Sequence, residues 1–208
     1  MLKPAHNKPA LTQVPIADLI ANRWSSRAFD ASKPIDEAQI LAVLEAARWA
    51  PSSYNDQPWR FIVCNKSTDS EAWQKAFDCL MPSNQAWVID APVLILGCAN
   101  TVLDVNGQAN RFAQYDTGAA AINICLQAAH MGLMTHQMGG YHADKAREAF
   151  AIPAQFSPMS MIALGYAGEQ TQLKQISAEL YERDVAPRKR KALSEICFAG
   201  DWDKPIKA

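Results

Sequence analysis

Ala50-Pro51-Ser52-Ser53-Tyr54-Asn55-Asp56-Gln57-Pro58-Trp59, running on into Arg60-Phe61-Ile62-Val63-Cys64-Asn65, is the stretch whose reading decides the fold. Two prolines pin a polar loop between unlike neighbours. On its N-terminal side, Pro34-Ile35-Asp36 starts a helix with Asp36 as cap. Ile40, Leu41, Leu44 and Ala47 then recur at a period of about 3.6 residues through Trp49. Pro51 stops that helix. On the C-terminal side, Trp59–Asn65 is a short β-rich run that reads as a buried strand. The loop itself is crowded with hydroxyls and amides. Asn55 and Gln57 can each present a donor and an acceptor, as a heterocycle with mixed imide edges requires. Loops held by rigid elements are where binding groups concentrate. Proline, serine and asparagine are also ordinary turn residues, and a plain turn fits the stretch about equally well.

Outward from this point the chain alternates helices with a few apolar strands. Ile16–Asn22 reads as a first helix, and Asp69–Leu80 and Asn84–Asp90 as further helices. Pro92–Ala99 is wholly apolar and reads as a strand buried on both faces. Phe112–Met131 is a long helix, apolar on more than one face, which implies burial on several sides and favours cover by a second subunit. Met134–Met138 reads as a strand, His142–Phe150 as a helix, Met159–Ala167 as a strand and Gln172–Tyr181 as a helix. No βαβ rhythm and no G-x-G-x-x-G after a strand is present, which disfavours a dinucleotide fold of that kind. The fold class expected is α+β, with residues 1–15 a loosely held, flexible arm and 16–208 a single domain.

Composition narrows the function classes. Of 208 residues, 49% are hydrophobic and 20% charged, and 20 Lys and Arg against 21 Asp and Glu give a formal net charge of -1. That balance offers no electrostatic basis for coating nucleic acid or a membrane surface. The five cysteines, Cys64, Cys79, Cys98, Cys125 and Cys197, have no pairing rhythm, and the four histidines lack metal-ligand spacing. Reduced thiols, no metal, no membrane helix and no apolar core to a signal peptide make a cytoplasmic protein the expectation.

Three further clusters could carry chemistry. In Arg23-Trp24-Ser25-Ser26-Arg27, an extended backbone points Arg23, Ser25 and Arg27 the same way, a good grip for phosphate. Alone it reads as readily as a solvated basic turn. Arg188-Lys189-Arg190-Lys191 is a second basic run near the other end of the chain, and it gains interest only by converging with the first. His136-Gln137-Met138-Gly139-Gly140 has paired glycines that let a planar ligand approach, or that simply turn the chain. No catalytic triad is indicated, because Ser52 and Ser53 lack a G-x-S-x-G context.

Taken in order, these clusters resemble the nitroreductase family of FMN-dependent oxidoreductases. The resemblance runs from about Ile16 to Trp202 and rests most on the proline-bounded loop Pro51–Trp59, with Arg23-x-Ser25-x-Arg27 before it and the basic run before Leu193-Ser194-Glu195 after it. It implies a nitroreductase-like fold with a central mixed β-sheet flanked by helices, built as an intertwined homodimer with FMN at the interface. Arg23, Ser25 and Arg27 would hold the FMN phosphate, with Trp24 lending backbone contact, and Arg188, Lys189 and Arg190 would complete that site. Pro51, Ser52 and Ser53 would line the flavin from the other subunit. Asn55 would bond its polar edge, Gln57 would steady the loop, and Gly139 and Gly140 would lie near the ring.

The activity implied is hydride transfer from NAD(P)H through flavin N5 to an electron-poor acceptor, a nitroaromatic, a quinone or similar, in a ping-pong cycle. The flavin carries the chemistry, so no side chain is assigned as catalytic. Dehalogenation or activated alkene and aldehyde reduction on the same scaffold, or non-catalytic flavin storage, are the alternatives.

Overall fold

The computed structural model describes residues 8–207; Lys3, His6 and the rest of the first seven residues lie outside it. Helix α1 (Asp18–Asn22) is followed by an extended segment and then α2 (Glu37–Arg48). Asp36 caps α2 as the sequence predicts. Its carboxylate accepts from Gln39 N at 2.7 Å, and Gln39 Oε1 accepts in turn from Asp36 N at 3.2 Å. Strand β1 (Trp59–Asn65) leads to α3 (Ser70–Asp78), α4 (Pro82–Val88) and β2 (Val93–Asn100). Then come α5 (Ala113–His130), β3 (Met134–Met138), α6 (Ala143–Ala149) and β4 (Phe156–Gly165). Three short helices close the chain: α7 (Gln172–Ile176), α8 (Ala178–Val185) and α9 (Leu193–Ile196).

The strands form one sheet in the order β1-β2-β4-β3. Every pairing in it is antiparallel, which corrects the mixed sheet expected from the sequence. The reason lies in the connections. The chain leaves β1 at Asn65, passes through α3 and α4, and re-enters at Val93, the partner of Asn65, so the helices return it to the same end of the sheet. A parallel pair would need a crossover to the opposite end.

Side chains alternate across β2 as strand geometry demands. Val93 and Ile95 pack with α2 and α5, against Ile40, Val43, Ala47, Ala120 and Ile124. Leu94 and Leu96 pack on the other face with Trp73, Trp87 and Leu80. Helices on both faces explain why β2 is apolar at nearly every position and buried throughout.

Most predicted boundaries shift by a residue or two, and two elements depart further. The helix expected over Gln172–Tyr181 breaks at Ser177, which is extended (φ -165, ψ 133) and caps α8 by accepting from Leu180 N at 3.3 Å. β4 starts before Met159 and contains Pro158. That proline faces Cys98 at a register shift in β2 and lies beyond the last β3 pair, Met138 with Met161, where no ladder donor is needed.

The described part of the N-terminal arm is hydrogen-bonded to the rest of the chain at three places. Ala10 N donates to Ala21 O at 2.8 Å, Arg188 donates to Lys8 O at 3.0 Å, and Gln13 Oε1 accepts from Leu193 N at 2.8 Å. Among the described residues no helix is long and apolar enough to cross a membrane, and no group of histidine, cysteine or acidic residues could hold a metal ion.

Candidate functional site

Residues 23–28 alternate in burial as an extended strand would: Trp24, Ser26 and Ala28 are buried while Arg23, Ser25 and Arg27 are half-exposed. The three predicted phosphate-gripping side chains therefore share one side of the segment. The opposite side is locked to the sheet. His136 on β3 meets Ser26 O through Nδ1 at 3.0 Å, so Nδ1 carries the proton and donates, and its ring lies 4.6 Å from that of Trp87. Burial first, and then the Arg27 and Arg23 guanidiniums, push His136 down to about 4; it is neutral at pH 7.

The C-terminal basic run reaches this segment through Arg188. Its Nη1 donates to Ala21 O at 2.6 Å and to Lys8 O at 3.0 Å. Burial and the neighbouring charges of Arg23 and Arg190 hold Arg188 below the ordinary guanidinium value. The bond to Ala21 O brings the C-terminal run to within two residues of Arg23 in the chain, near enough for the Arg23 and Arg190 charges to act on Arg188. Lys189 is exposed, and Arg190 is exposed with a hydrogen bond to Lys189 O at 2.8 Å.

Arg27 is engaged differently. Its guanidinium lies 3.6 Å from the fully buried carboxylate of Asp184 on α8, and its backbone N donates to the same oxygen at 3.2 Å. Gln170 Nε2 gives Asp184 a second charge-assisted bond at 2.8 Å. Arg27 also edges a surface cavity of about 270 Å³ lined by Trp87, Asp90, Gln172 and Ile176. Trp24 turns its indole into the core with Nε1 buried and unpartnered, which leaves its backbone as the part that could meet a ligand.

The loop at residues 50–59 lies at the other edge of the sheet. Tyr54, Asn55 and Gln57 all adopt left-handed backbone (φ 53, 55 and 49), a conformation that costs non-glycine residues free energy and persists only where neighbours enforce it. The enforcing contacts are visible. Ser52 Oγ accepts from Gln57 N at 3.0 Å, and Gln57 Nε2 donates to Asn55 O at 3.1 Å. Asp116, buried in the first turn of α5, accepts from Ser53 N at 3.0 Å. Asp56 accepts from Asp104 N at 3.0 Å and from Asn110 Nδ2 at 2.8 Å. Pro51 and Asn55 remain exposed, and Ser52 and Ser53 half-exposed.

Asp116, and the Asp104 and Asn110 partners of Asp56, escape a reading of the sequence because nothing local links them to this loop. Replacing Asp116 with alanine should cost about 1–3 kcal/mol, since it strands the Ser53 N–H and lets the strained backbone relax. Urea denaturation of Asp116→Ala against the parent measures it.

Gly139 and Gly140 follow β3. A Cβ on Gly139 would meet nothing within 4 Å, whereas one on Gly140 would lie 2.6 Å from Asn84 Nδ2. Gly140 O also accepts from Asn84 Nδ2 at 2.9 Å and from Met81 N at 3.0 Å, so Gly140 is packed against the start of α4 while Gly139 stays open. Within one chain, the arginines beside β3 and the Ser52 loop leading into β1 are separated by the width of four strands, roughly 14 Å.

A profile of the nitroreductase family matches residues 20–166, from the end of α1 to the end of β4. The chain belongs to the nitroreductase family. A protein provisionally named NADH dehydrogenase/NAD(P)H nitroreductase, from Methanothermobacter thermautotrophicus, is 30% identical over 168 residues, which span 79% of this chain and 83% of that one. An uncharacterized 15.4 kDa protein of Mycolicibacterium smegmatis is 32% identical over 152 residues, 71% of this chain and 99% of its own length. A crystal structure described as an oxidoreductase containing FMN superposes with a TM-score of 0.87 at 32% identity, covering 96% of this nitroreductase and 99% of that chain. A nitroreductase family protein from Clostridium difficile 630 shares the fold at a TM-score of 0.67 and 24% identity, over 88% and 97% of the two chains. The family profile ends before α7, so the arginines of the C-terminal run lie outside it.

Proposed function

We propose that this nitroreductase binds FMN and works as a homodimeric NAD(P)H-dependent oxidoreductase on electron-poor acceptors such as nitroaromatics or quinones. One observation carries the reading: Arg188, from the far end of the chain, bonds Ala21 O two residues before Arg23, and the charges of Arg23 and Arg190 both act on it, with Ser25 half-exposed nearby in the chain. The charges that act on Arg188 are both cationic, so the group has the donor set and the charge deficit that a phosphate dianion satisfies.

A bound flavin would supply the redox chemistry, hydride transfer between NAD(P)H and the acceptor. The chain supplies position. Arg23, Ser25, Arg188 and Arg190 hold the phosphate, and Lys189 adds charge nearby. Arg27, fixed by Asp184, stiffens the segment. Trp24 anchors the segment in the core. His136, neutral, fixes the Ser26 carbonyl and with it the direction of the neighbouring Ser25 and Arg27. Gly139 leaves room for a flat ring.

Pro51, Ser52, Ser53 and Asn55 would reach the ring from a second copy of the chain, with Gln57 holding their loop in shape. The separation of the two clusters across the sheet supports that arrangement. So does the exposure of large apolar side chains around α2 and α5: Trp49 is 73% exposed, Tyr54 91% and Tyr115 79%, with Leu41 and Ile122 also open. The purified protein should be yellow and dimeric, and anaerobic NADH or NADPH should bleach its flavin band. A colourless protein overturns the reading, and a yellow one that no nicotinamide bleaches is a flavin carrier.

A further inference from the structure

Lys8 lies before the segment that the family profile covers, yet it contacts Arg188 directly and two neighbours of the arginine group, Asp184 and Trp24. Its backbone carbonyl accepts from Arg188 Nη1 at 3.0 Å. Its ammonium donates to the backbone carbonyl of Asp184 and sits 4.7 Å over the indole ring of Trp24. We propose that residues 8–13 are a clasp that completes the phosphate side of the site, the Lys8 carbonyl aiming Arg188 and the Lys8 ammonium adding a cation. The inference rests on the FMN reading above.

The aiming follows from geometry. A guanidinium is planar with five N–H groups. Nη1 of Arg188 is spent on two carbonyls, Ala21 O from the end of α1 and Lys8 O from the clasp, and two acceptors on one nitrogen fix the plane. The other nitrogens keep their donors for a ligand.

The clasp is closed on both sides of that contact. Ala10 N bonds Ala21 O, and the Gln13 side chain bonds Leu193 N just after the basic run. Residues 8–13 are therefore stitched to both pieces of chain that carry the arginines.

The ammonium faces unlike and like charge at once. Asp184 attracts it, but that carboxylate is already paired with Arg27, while Arg188 and Arg27 repel it. Burial adds to the cost of keeping it charged. Such crowding of cations is relieved by a bound dianion, and each ammonium hydrogen not given to Asp184 O is available to it.

The test compares FMN with riboflavin, which has the same ring and no phosphate. Apo-protein is titrated with each by fluorescence quenching. Lys8→Ala should bind FMN about tenfold more weakly, with riboflavin affinity unchanged. Lys8→Arg should restore most of the loss. Gln13→Ala, which cuts the tie to Leu193 without altering charge, should weaken FMN by a smaller factor, about threefold, again sparing riboflavin. An equal loss for both flavins in Lys8→Ala marks a purely structural segment and overturns the proposal, as does no loss at all. A parent protein that binds neither flavin overturns the FMN reading itself, and the clasp with it.

Discussion

Arg188→Ala should weaken FMN binding by about 10- to 150-fold while leaving riboflavin affinity nearly intact, the difference reporting a charge-assisted contact of roughly 1.5–3 kcal/mol. The expectation follows from where this side chain stands. Of the basic run, Arg188 alone is half-buried, and the carbonyls of Lys8 and Ala21 hold it beside Arg23. Lys189→Ala, at an exposed position, should change affinity by less than about threefold. Because Arg23 and Arg188 act on the same dianion, the double variant should fall short of the product of the single losses. Titration of apo-protein with both flavins gives all three numbers. An Arg188→Ala protein that retains parental FMN affinity places the phosphate elsewhere.

The sequence also assigns Arg27 to the phosphate, and here the pairing with Asp184 changes what its loss would do. Removing Arg27 deprives a fully buried carboxylate of its ion-pair partner, leaving it the Arg27 backbone N, Gln170 and the attraction of the nearby Lys8 ammonium. A loss of FMN in Arg27→Ala would mix a missing contact with a loosened segment, whereas Arg23 has no such buried partner among the described residues and gives the cleaner measurement.

How much of this was legible depends on the range over which each contact acts. β1 and β3 begin and end where the sequence reading places them, and α5 matches its apolar pattern to within a residue at each end. Local signals also placed the cap at Asp36 and the shared side of Arg23, Ser25 and Arg27. Ser177 was missed because a serine inside a helical pattern and a serine that caps a new helix look alike until the backbone turns. The partners of the site could not be read at all. Lys8 and Asp184 are 176 positions apart, and Ser53 and Asp116 are 63 apart, and no periodicity encodes such pairs. The homodimer expectation had a different basis. It came from the many-sided apolar character of α5 together with the family resemblance; Tyr115 and Ile122 on that helix are exposed.

Acid should destabilise this protein through His136. Its folded-state value of about 4 lies below the ordinary 6.5 because charging it would strand an imidazolium in the core beside two arginines. Between those two values the unfolded chain binds a proton that the folded chain does not, so stability rises with pH across that window and falls as pH drops through it. The contribution is fully present above about pH 6.5 and is lost progressively toward pH 4, about 3 kcal/mol in all. Urea denaturation at pH 7 and pH 4.5 should show the loss in the parent. His136→Gln removes the titrating group and keeps an N–H donor for Ser26 O, so it should narrow the gap between the two pH values by about 2 kcal/mol, at some cost in stability at pH 7. The carboxylates elsewhere titrate in both proteins and cancel in the comparison. Because His136 holds Ser26 between Ser25 and Arg27, the acid limb should carry a local signature as well: riboflavin binding should outlast FMN binding as pH falls toward 4. An unchanged gap in His136→Gln would mean that the imidazole is charged in the folded protein, and that the segment bearing Arg23 and Arg27 is held by something other than its neutrality.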